Sequence, residues 1–315
     1  MQQKKSFKIF LAGHKGMVGS AIHRSLIRNG YRNIITKSRA ELDLTNQNLT
    51  FKFLKKLKPN FVILSAAKVG GISFNKKFKH EFIYENTQIQ NNVIHGSYLS
   101  GTKNLFFLSS SCIYPKFCKQ PMKEKYLLSG PLEETNEAYS LAKISGLKMC
   151  EYYSSFFNVN FKSLVPPNLY GPNDNFDLTN SHFYPALLKK IFLVKQNNKK
   201  SIKIWGNGKA KRELMFVDDF ADAVVFFMKK KIKEPYINIG NGKDYEINWF
   251  TKMLMKNMKI RLNIVYDYTK PNGMPRKCLD ISLAKKYGWK PENDYTKGFE
   301  ITYKNFISNK KNYEK

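Results

Sequence analysis

Gly13, Gly16 and Gly19 follow directly on a short apolar run, Phe7 to Ala12, and lead directly into a helical stretch, Ser20 to Asn29, that Gly30 ends. The apolar run reads as a strand. Glycines at the turn let the backbone approach a ligand closely, and the start of the helix offers free N–H groups and the positive end of its dipole to a diphosphate. A glycine turn of this spacing between a first strand and a first helix predicts a dinucleotide-binding, doubly wound parallel sheet.

The following segments keep the alternation expected of such a sheet. A second strand is predicted at Asn33 to Thr36, a helix at Asn48 to Lys56, and a third strand at Phe61 to Ser65. The small residues Ala66 to Gly71 then give a cofactor's ribose room against the backbone. A helix over Asn86 to Leu99, a strand over Asn104 to Leu108 and a strand over Phe161 to Val165 continue the pattern. After Pro166-Pro-Asn-Leu-Tyr-Gly-Pro172 the alternation weakens, although Ser181-His182 opens a further helix to Lys195. The expected organisation is a Rossmann-type domain over residues 1–175 and a smaller α/β substrate-binding region over 176–315, interleaved with the last Rossmann strands. Lys310 to Lys315 are expected to fray.

The end of the second strand distinguishes the two pyridine dinucleotides. An NAD-preferring site places Asp or Glu there for the ribose 2′-hydroxyl. Here the residues are Thr36-Lys37-Ser38-Arg39, so Arg39 with Lys37 suits a 2′-phosphate and NADP, while Glu41 is the acidic residue that opposes that reading.

Chemistry enters at Thr135 to Lys143. Tyr139 and Lys143 lie four residues apart in a helical segment, hence on one face one turn apart. A lysine ammonium there is expected to lower the phenol's pKa, so that it exchanges a proton with a carbonyl or alcohol oxygen near neutral pH. Ser109, Ser110 and Ser111 close the strand at Leu108, and ligands of such sheets bind at the carboxyl ends of strands. A serine hydroxyl there bridges to a substrate oxygen while Tyr139 moves the proton.

Composition sets the outer limits. A chain of 315 residues with 42% hydrophobic content builds a sizeable core, and no apolar run is long enough for a membrane span. No signal peptide is read at the N-terminus. Cys112, Cys118, Cys150 and Cys278 form no Cys-x-x-Cys pair, and the five histidines show no ligand spacing. A metal site is therefore not expected, and a reduced, cytoplasmic setting is. The net charge of +30 is spread in short lysine runs without a basic aromatic repeat, so it predicts no nucleic-acid partner.

These motifs resemble the extended short-chain dehydrogenase/reductases, and within them the branch that epimerises and reduces GDP-4-keto-6-deoxy-D-mannose to GDP-L-fucose. The resemblance runs in order through Ala12 to Ser20, Ala66 to Gly71, Ser110 to Lys116, Lys119 to Met122, Asn168 to Pro172, Asn180 to His182, Trp205 to Gly208 and Lys270 to Lys277. It implies a GDP-sugar substrate, NADPH as hydride donor, and a homodimer joined through helices of the nucleotide domain. It places Ser110, Tyr139 and Lys143 in a reductase triad, with Cys112 as epimerisation base and His182 as acid. Cofactor contacts are implied for Gly13, His14, Lys15, Gly16, Met17, Val18, Gly19, Arg39, Leu108, Ser109, Ser110 and Ser111. They are also implied for Lys143, Pro166, Pro167, Asn168, Leu169 and His182. Lys190, Trp205, Arg212 and Lys277 match positions lining the GDP-sugar side. Lys15, Ser109, Pro167 and Asn272 depart from the family's usual arginine, glycine, threonine and aspartate.

A 4-keto sugar has acidic hydrogens at C3 and C5. Inverting those centres requires a base, an acid on the opposite face, and donors for the enolate oxygen. Cysteine and histidine are suited to the first two tasks, and Tyr139 with Ser110 to the third. Two alternatives stay open: another NDP-sugar epimerase or dehydratase on the same scaffold, and a non-catalytic dinucleotide-binding protein. The loop Ser110-Ser-Cys112 lacks the acidic residues usual in a dehydratase, and a binding module often loses the tyrosine or lysine kept here.

Overall fold

The computed structural model describes residues 6–270, 273–292 and 294–309. Among these described residues thirteen strands run in chain order: β1 (Ile9–Ala12), β2 (Ile34–Ile35), β3 (Phe61–Leu64), β4 (Asn104–Leu108), β5 (Asn160–Val165), β6 (Asn168–Tyr170), β7 (Ser201–Trp205), β8 (Lys211–Arg212), β9 (Leu214–Phe216), β10 (Tyr236–Asn238), β11 (Tyr245–Glu246), β12 (Asn263–Asp267) and β13 (Arg276–Lys277). The helices used below are α1 (Met17–Arg28), α2 (Gln47–Leu57), α3 (Ile72–Lys77), α4 (Lys79–Leu99), α5 (Glu137–Phe156), α6 (Phe183–Gln196) and α7 (Val217–Phe227).

Six strands form one parallel sheet in the order β10-β5-β4-β3-β1-β2. Helices cover both faces, which is why its central strands read as unbroken apolar runs. On one face Ile9, Leu11, Ile63, Phe106 and Leu164 pack with Leu26 of α1 and Phe220 and Val224 of α7. On the other, Phe10, Val62, Leu105 and Phe107 pack with Val93 and Ile94 of α4 and Ile144 and Leu147 of α5. The chain leaves β1 towards β2 on one side and returns to β3 on the other. A crevice therefore opens at the carboxyl ends of β1 and β3.

A separate apolar cluster, with Tyr184, Leu188, Ile202, Ile204 and Phe250 among its members, organises the later elements. There β7 pairs with β12, β6 with β9, and β8 lies between β11 and β13. Residues 217–238 return to the large sheet: α7 joins α1 through Arg24–Asp218 at 2.5 Å, and β10 extends the sheet beyond β5.

Three element boundaries differ from the sequence reading. The first helix begins at Met17, because the turn passes straight into it. β2 shrinks to two residues, being an edge strand paired on one side only. The helix expected from Asn86 starts at Lys79. Lys310 to Lys315 and Asn272 lie outside the described residues.

Candidate active site

The glycine turn is compressed against its surroundings. Gly13 has φ +89°, and a Cβ on it would lie 2.6 Å from the backbone nitrogen of Ala66, just beyond β3. A Cβ on Gly19 would lie 2.1 Å from the Gly13 carbonyl oxygen, so the start of α1 rests directly on the turn. Gly16, by contrast, would find nothing nearer than the Gly13 oxygen at 3.6 Å. α1 carries no side-chain cap and no acidic residue in its first turn, so the first-turn N–H groups and the helix dipole are left for an anion at the crevice. The residues present fit a dinucleotide diphosphate.

Of the two basic residues expected near a 2′-phosphate, one stays available. Arg39 is 73% exposed along its side chain, with Glu85 at 3.5 Å and Asp43 at 3.8 Å. Lys37 is drawn instead to Glu41 at 3.2 Å. Hydrogen bonds from the Ser38 hydroxyl, at 2.7 Å, and backbone N–H, at 2.8 Å, together with Lys37, hold the Glu41 carboxyl down to about 2. The loop after β3 is tied to a distant segment at its far end. A Cβ on Gly71 would fall 2.3 Å from the Ser181 carbonyl oxygen, and its N–H donates to Asn180 O at 2.7 Å. At Gly71, the last of the small residues in this loop, protein backbone takes the space beside the Cα, and the loop is locked to the segment that carries His182.

At the end of β4 two of the three serines are cross-linked to the neighbouring strand and the segment after it. Ser109 N–H donates to Leu164 O at 2.9 Å, and Ser111 N–H to Pro166 O at 2.9 Å, which brings Pro166-Pro167 beside them. Ser110 accepts from the Cys112 N–H at 3.3 Å. Tyr139 and Lys143 stand on successive turns of α5. Lys143 is buried, donates to Leu108 O at 2.8 Å, and lies 5.8 Å from the Tyr139 ring centre.

The expected lowering of the phenol is not found. Burial first, then the nearby Cys112 sulfur, push the Tyr139 pKa well up, against an opposing pull from the Ser110 hydroxyl. Burial also brings Lys143 down to about 7. The reason is that both groups lose water, and the ammonium is turned onto a backbone carbonyl. Tyr139 is thus fully protonated at neutral pH, the state that a proton donor requires.

Beside this pair sits Cys112. Its Sγ receives Lys277 Nζ at 3.1 Å and Asn136 Nδ2 at 3.3 Å. Burial alone would raise its pKa. The Lys277 charge, hydrogen bonds with Ser110 and Lys277, and the Arg212 charge outweigh that effect and leave the thiol below its ordinary range. His182, at the N-cap of α6, is accessible to solvent; partial loss of water to the surrounding protein and then the Lys277 charge lower its pKa, which favours the neutral imidazole. Among the described residues no His/Cys/Asp/Glu cluster could hold a metal.

A basic, aromatic lane leads away from Cys112. Arg212 on β8 pairs in register with Lys277 on β13, and its Nη1 donates to Met274 O at 2.6 Å. Burial holds its guanidinium down to about 10. Beyond it lies Trp205, 39% exposed, with Lys190 Nζ at 5.6 Å and Lys270 Nζ at 5.7 Å from its ring centre. The four residues predicted for the GDP-sugar side therefore divide. Lys190, Trp205 and Arg212 line the lane, whereas Lys277 points its ammonium at Cys112. Sequence reasoning missed Asn136 and Lys270. Asn136 sits inside the Thr135–Lys143 stretch, and Lys270 opens a matched motif, but neither residue type announces itself without the fold.

A doubly wound sheet with a glycine turn at its crevice and Ser, Tyr and Lys at its carboxyl edge defines a dinucleotide-dependent enzyme of the extended short-chain dehydrogenase/reductase class. The chain belongs to the NAD dependent epimerase/dehydratase family, whose model matches residues 9–240. It is 45% identical over 306 residues to a putative GDP-L-fucose synthase 2 of Arabidopsis thaliana, covering 97% of this chain and 93% of that one. It is 40% identical over 311 residues to the GDP-L-fucose synthase of Escherichia coli strain K12, covering 96% and 97% respectively. Among solved structures, a GDP-mannoheptose C4 reductase from Campylobacter jejuni with NADP bound superposes with a TM-score of 0.88 at 37% identity, over 98% of this chain and 99% of that one.

Proposed function

We propose that the protein acts as a bifunctional epimerase and NADPH-dependent reductase that converts GDP-4-keto-6-deoxy-D-mannose to GDP-L-fucose. The observation that carries this reading is the grouping of a lysine-paired Cys112 and a solvent-accessible His182 around the Ser110–Tyr139 pair. A simple ketone reductase needs only the serine, tyrosine and lysine. A second base and acid have a use when carbon centres beside the ketone are inverted.

Cys112, as thiolate, takes the proton from C3 or C5. The C–H bond breaks, S–H forms, and the electron pair moves onto O4 as an enolate. Tyr139 and Ser110 donate hydrogen bonds to that oxygen. His182, which takes up a proton from solvent as negative charge on the bound sugar raises its affinity for one, delivers that proton to the opposite face and returns to the neutral imidazole. NADPH, when bound, supplies the hydride that reduces C4. Tyr139 then gives O4 its proton and is recharged from solvent. The first turn of α1 and Arg39 hold the cofactor's diphosphate and 2′-phosphate. Trp205, Lys190 and Lys270 take the base and ribose of GDP, and Arg212 its diphosphate.

The nucleotide part comprises residues 1–175 together with the returning α7 and β10, and the substrate part the remainder of 176–315. A homodimer through α4 and α5 fits the exposed Ile83, Tyr84, Leu141, Tyr152 and Phe156 on those helices. Four free cysteines and a reduced nicotinamide suit the cytoplasm, and no helix among the described residues is long and apolar enough to cross a membrane.

The test is incubation with GDP-4-keto-6-deoxy-D-mannose and NADPH, following NADPH oxidation by absorbance and the product by NMR. GDP-L-fucose is expected. An unepimerised 6-deoxy product would reduce the assignment to a C4 reductase, and no oxidation at all would refute it.

A further inference from the structure

The structure assigns to Lys277 and Asn136 the task of holding the Cys112 sulfur as a thiolate aimed at the substrate carbon. Lys277 is on this view a positioning residue of the epimerisation step and not a contact of the nucleotide. The carbon-acid part of the statement rests on the function proposed above; the thiolate part does not.

Three features support it. First, the sulfur has two nitrogen donors from two separate elements: Lys277 Nζ from β13 at 3.1 Å, and Asn136 Nδ2 from the residue preceding α5 at 3.3 Å. A neutral thiol is a weak acceptor, and two donors converging on one sulfur are the arrangement an anion favours. Second, Lys277 is 9% exposed, and no carboxylate among the described residues pairs with it. A buried ammonium without a counter-charge is costly, and a thiolate at hydrogen-bond distance meets that need. The other charged or titratable groups felt at this sulfur are Arg212 from β8 and Tyr139 from α5, and His182 from α6 and Cys118, from the loop after β4, face the same lysine. None of them is a carboxylate.

Third, the backbone around Lys277 is anchored with unusual completeness. Glu213 N–H donates to Lys277 O at 3.0 Å. Cys278 N–H donates to Gln120 Oε1 at 3.0 Å, and Met122 N–H to Cys278 O at 2.7 Å. Leu279 N–H donates to the buried Glu213 carboxylate at 2.7 Å. The stretch Lys119 to Met122, which the motif reading left without a task, thus clamps the strand carrying Lys277. Asn136 in turn keeps a buried Oδ1 without a protein partner, so its donor side is committed to the sulfur while its acceptor is not committed.

The test is alkylation of the full chain by iodoacetamide across pH, with each cysteine followed separately by peptide mass spectrometry. In the parent, Cys112 is expected to react with an inflection well below the ordinary thiol value of about 8.5. Lys277→Met should raise that inflection and slow Cys112 alkylation at neutral pH by about ten- to a hundredfold, because the thiolate is the reactive form. Lys277→Arg should restore most of the rate, and Asn136→Ala should slow it by about three- to tenfold. The far-UV circular dichroism spectrum and NADPH binding serve as fold controls. An unchanged Cys112 profile in Lys277→Met, or a parent inflection at the ordinary value, overturns the proposal. Should Lys277→Met lose NADPH binding, Asn136→Ala decides, and an unchanged profile there overturns it equally. Solvent deuterium exchange into the 4-keto sugar without NADPH then separates the two claims. A low Cys112 inflection with no exchange in the parent refutes the epimerase reading and leaves the thiolate standing.

Discussion

Replacing Arg39 by alanine tests whether this side chain reads the cofactor's 2′-phosphate. In the free protein Arg39 is 73% exposed and, among the described residues, pairs with Glu85 at 3.5 Å and Asp43 at 3.8 Å. Exposed pairs of that kind contribute about 0–1 kcal/mol, so truncation should leave the fold nearly unchanged. A charge-assisted contact to a phosphate contributes about 1.5–3 kcal/mol. Arg39→Ala should therefore weaken NADPH binding by about ten- to a hundredfold or slightly more. NADH, which lacks the phosphate, should bind as before. The loss should shrink as salt is raised, because the contact is exposed to solvent and screened. Glu41→Gln provides the opposite sign: it releases Lys37, held at 3.2 Å, and removes a negative charge from the same loop, so NADPH should bind more tightly. Titration of nucleotide fluorescence for both cofactors at two ionic strengths measures all of this. Equal losses for NADPH and NADH in Arg39→Ala would show that the arginine supports the loop and does not read the phosphate.

Tyr139→Phe should nearly abolish reduction, since O4 then has no proton donor; NADPH oxidation near the parent rate with the 4-keto sugar would remove the tyrosine from that role. Cys112→Ser replaces a thiol by a hydroxyl that barely ionises, so deuterium exchange at C3 and C5 should stop while slow reduction to an unepimerised 6-deoxy sugar persists. Undiminished exchange would require another base. Asp174→Asn tests a buried carboxyl away from the chemistry. Burial holds Asp174 protonated up to about 7, whereas an unfolded aspartate ionises near about 4, so the native state binds the extra proton between those values. Stability from this group is present below about pH 4 and is lost as pH rises to about 7, hence Asp174→Asn should raise the melting temperature increasingly from about pH 4 to about pH 7 and by a constant amount above that. The gain is at most about 4 kcal/mol, and a pH-independent difference in melting temperature would contradict it.

Local chemistry made much of the scaffold legible. Phe-Leu-type runs at β1, β3, β4 and β5 announce strands buried on both faces, and Gly13, Gly16 and Gly19 announce the turn, because each signal is carried by contiguous residues. Tyr139 and Lys143 were legible for the same reason: a fixed helical spacing placed them on successive turns. What the chain could not disclose by itself is what distant segments do to one another. β10, more than 70 residues after β5, completes the sheet. Gly71 is a glycine because Ser181 packs on it, and Lys37 turns to Glu41 and away from the cofactor side. Lys277 reaches a sulfur 165 positions earlier in the chain. The acid–base character of the site depends most of all on the tertiary structure. Residue types and spacing suggested a lowered phenol, but a pKa is set by lost water and by the charges that packing brings near. Burial therefore raises Tyr139 while Lys277 lowers Cys112, and only the folded arrangement decides which group holds the proton.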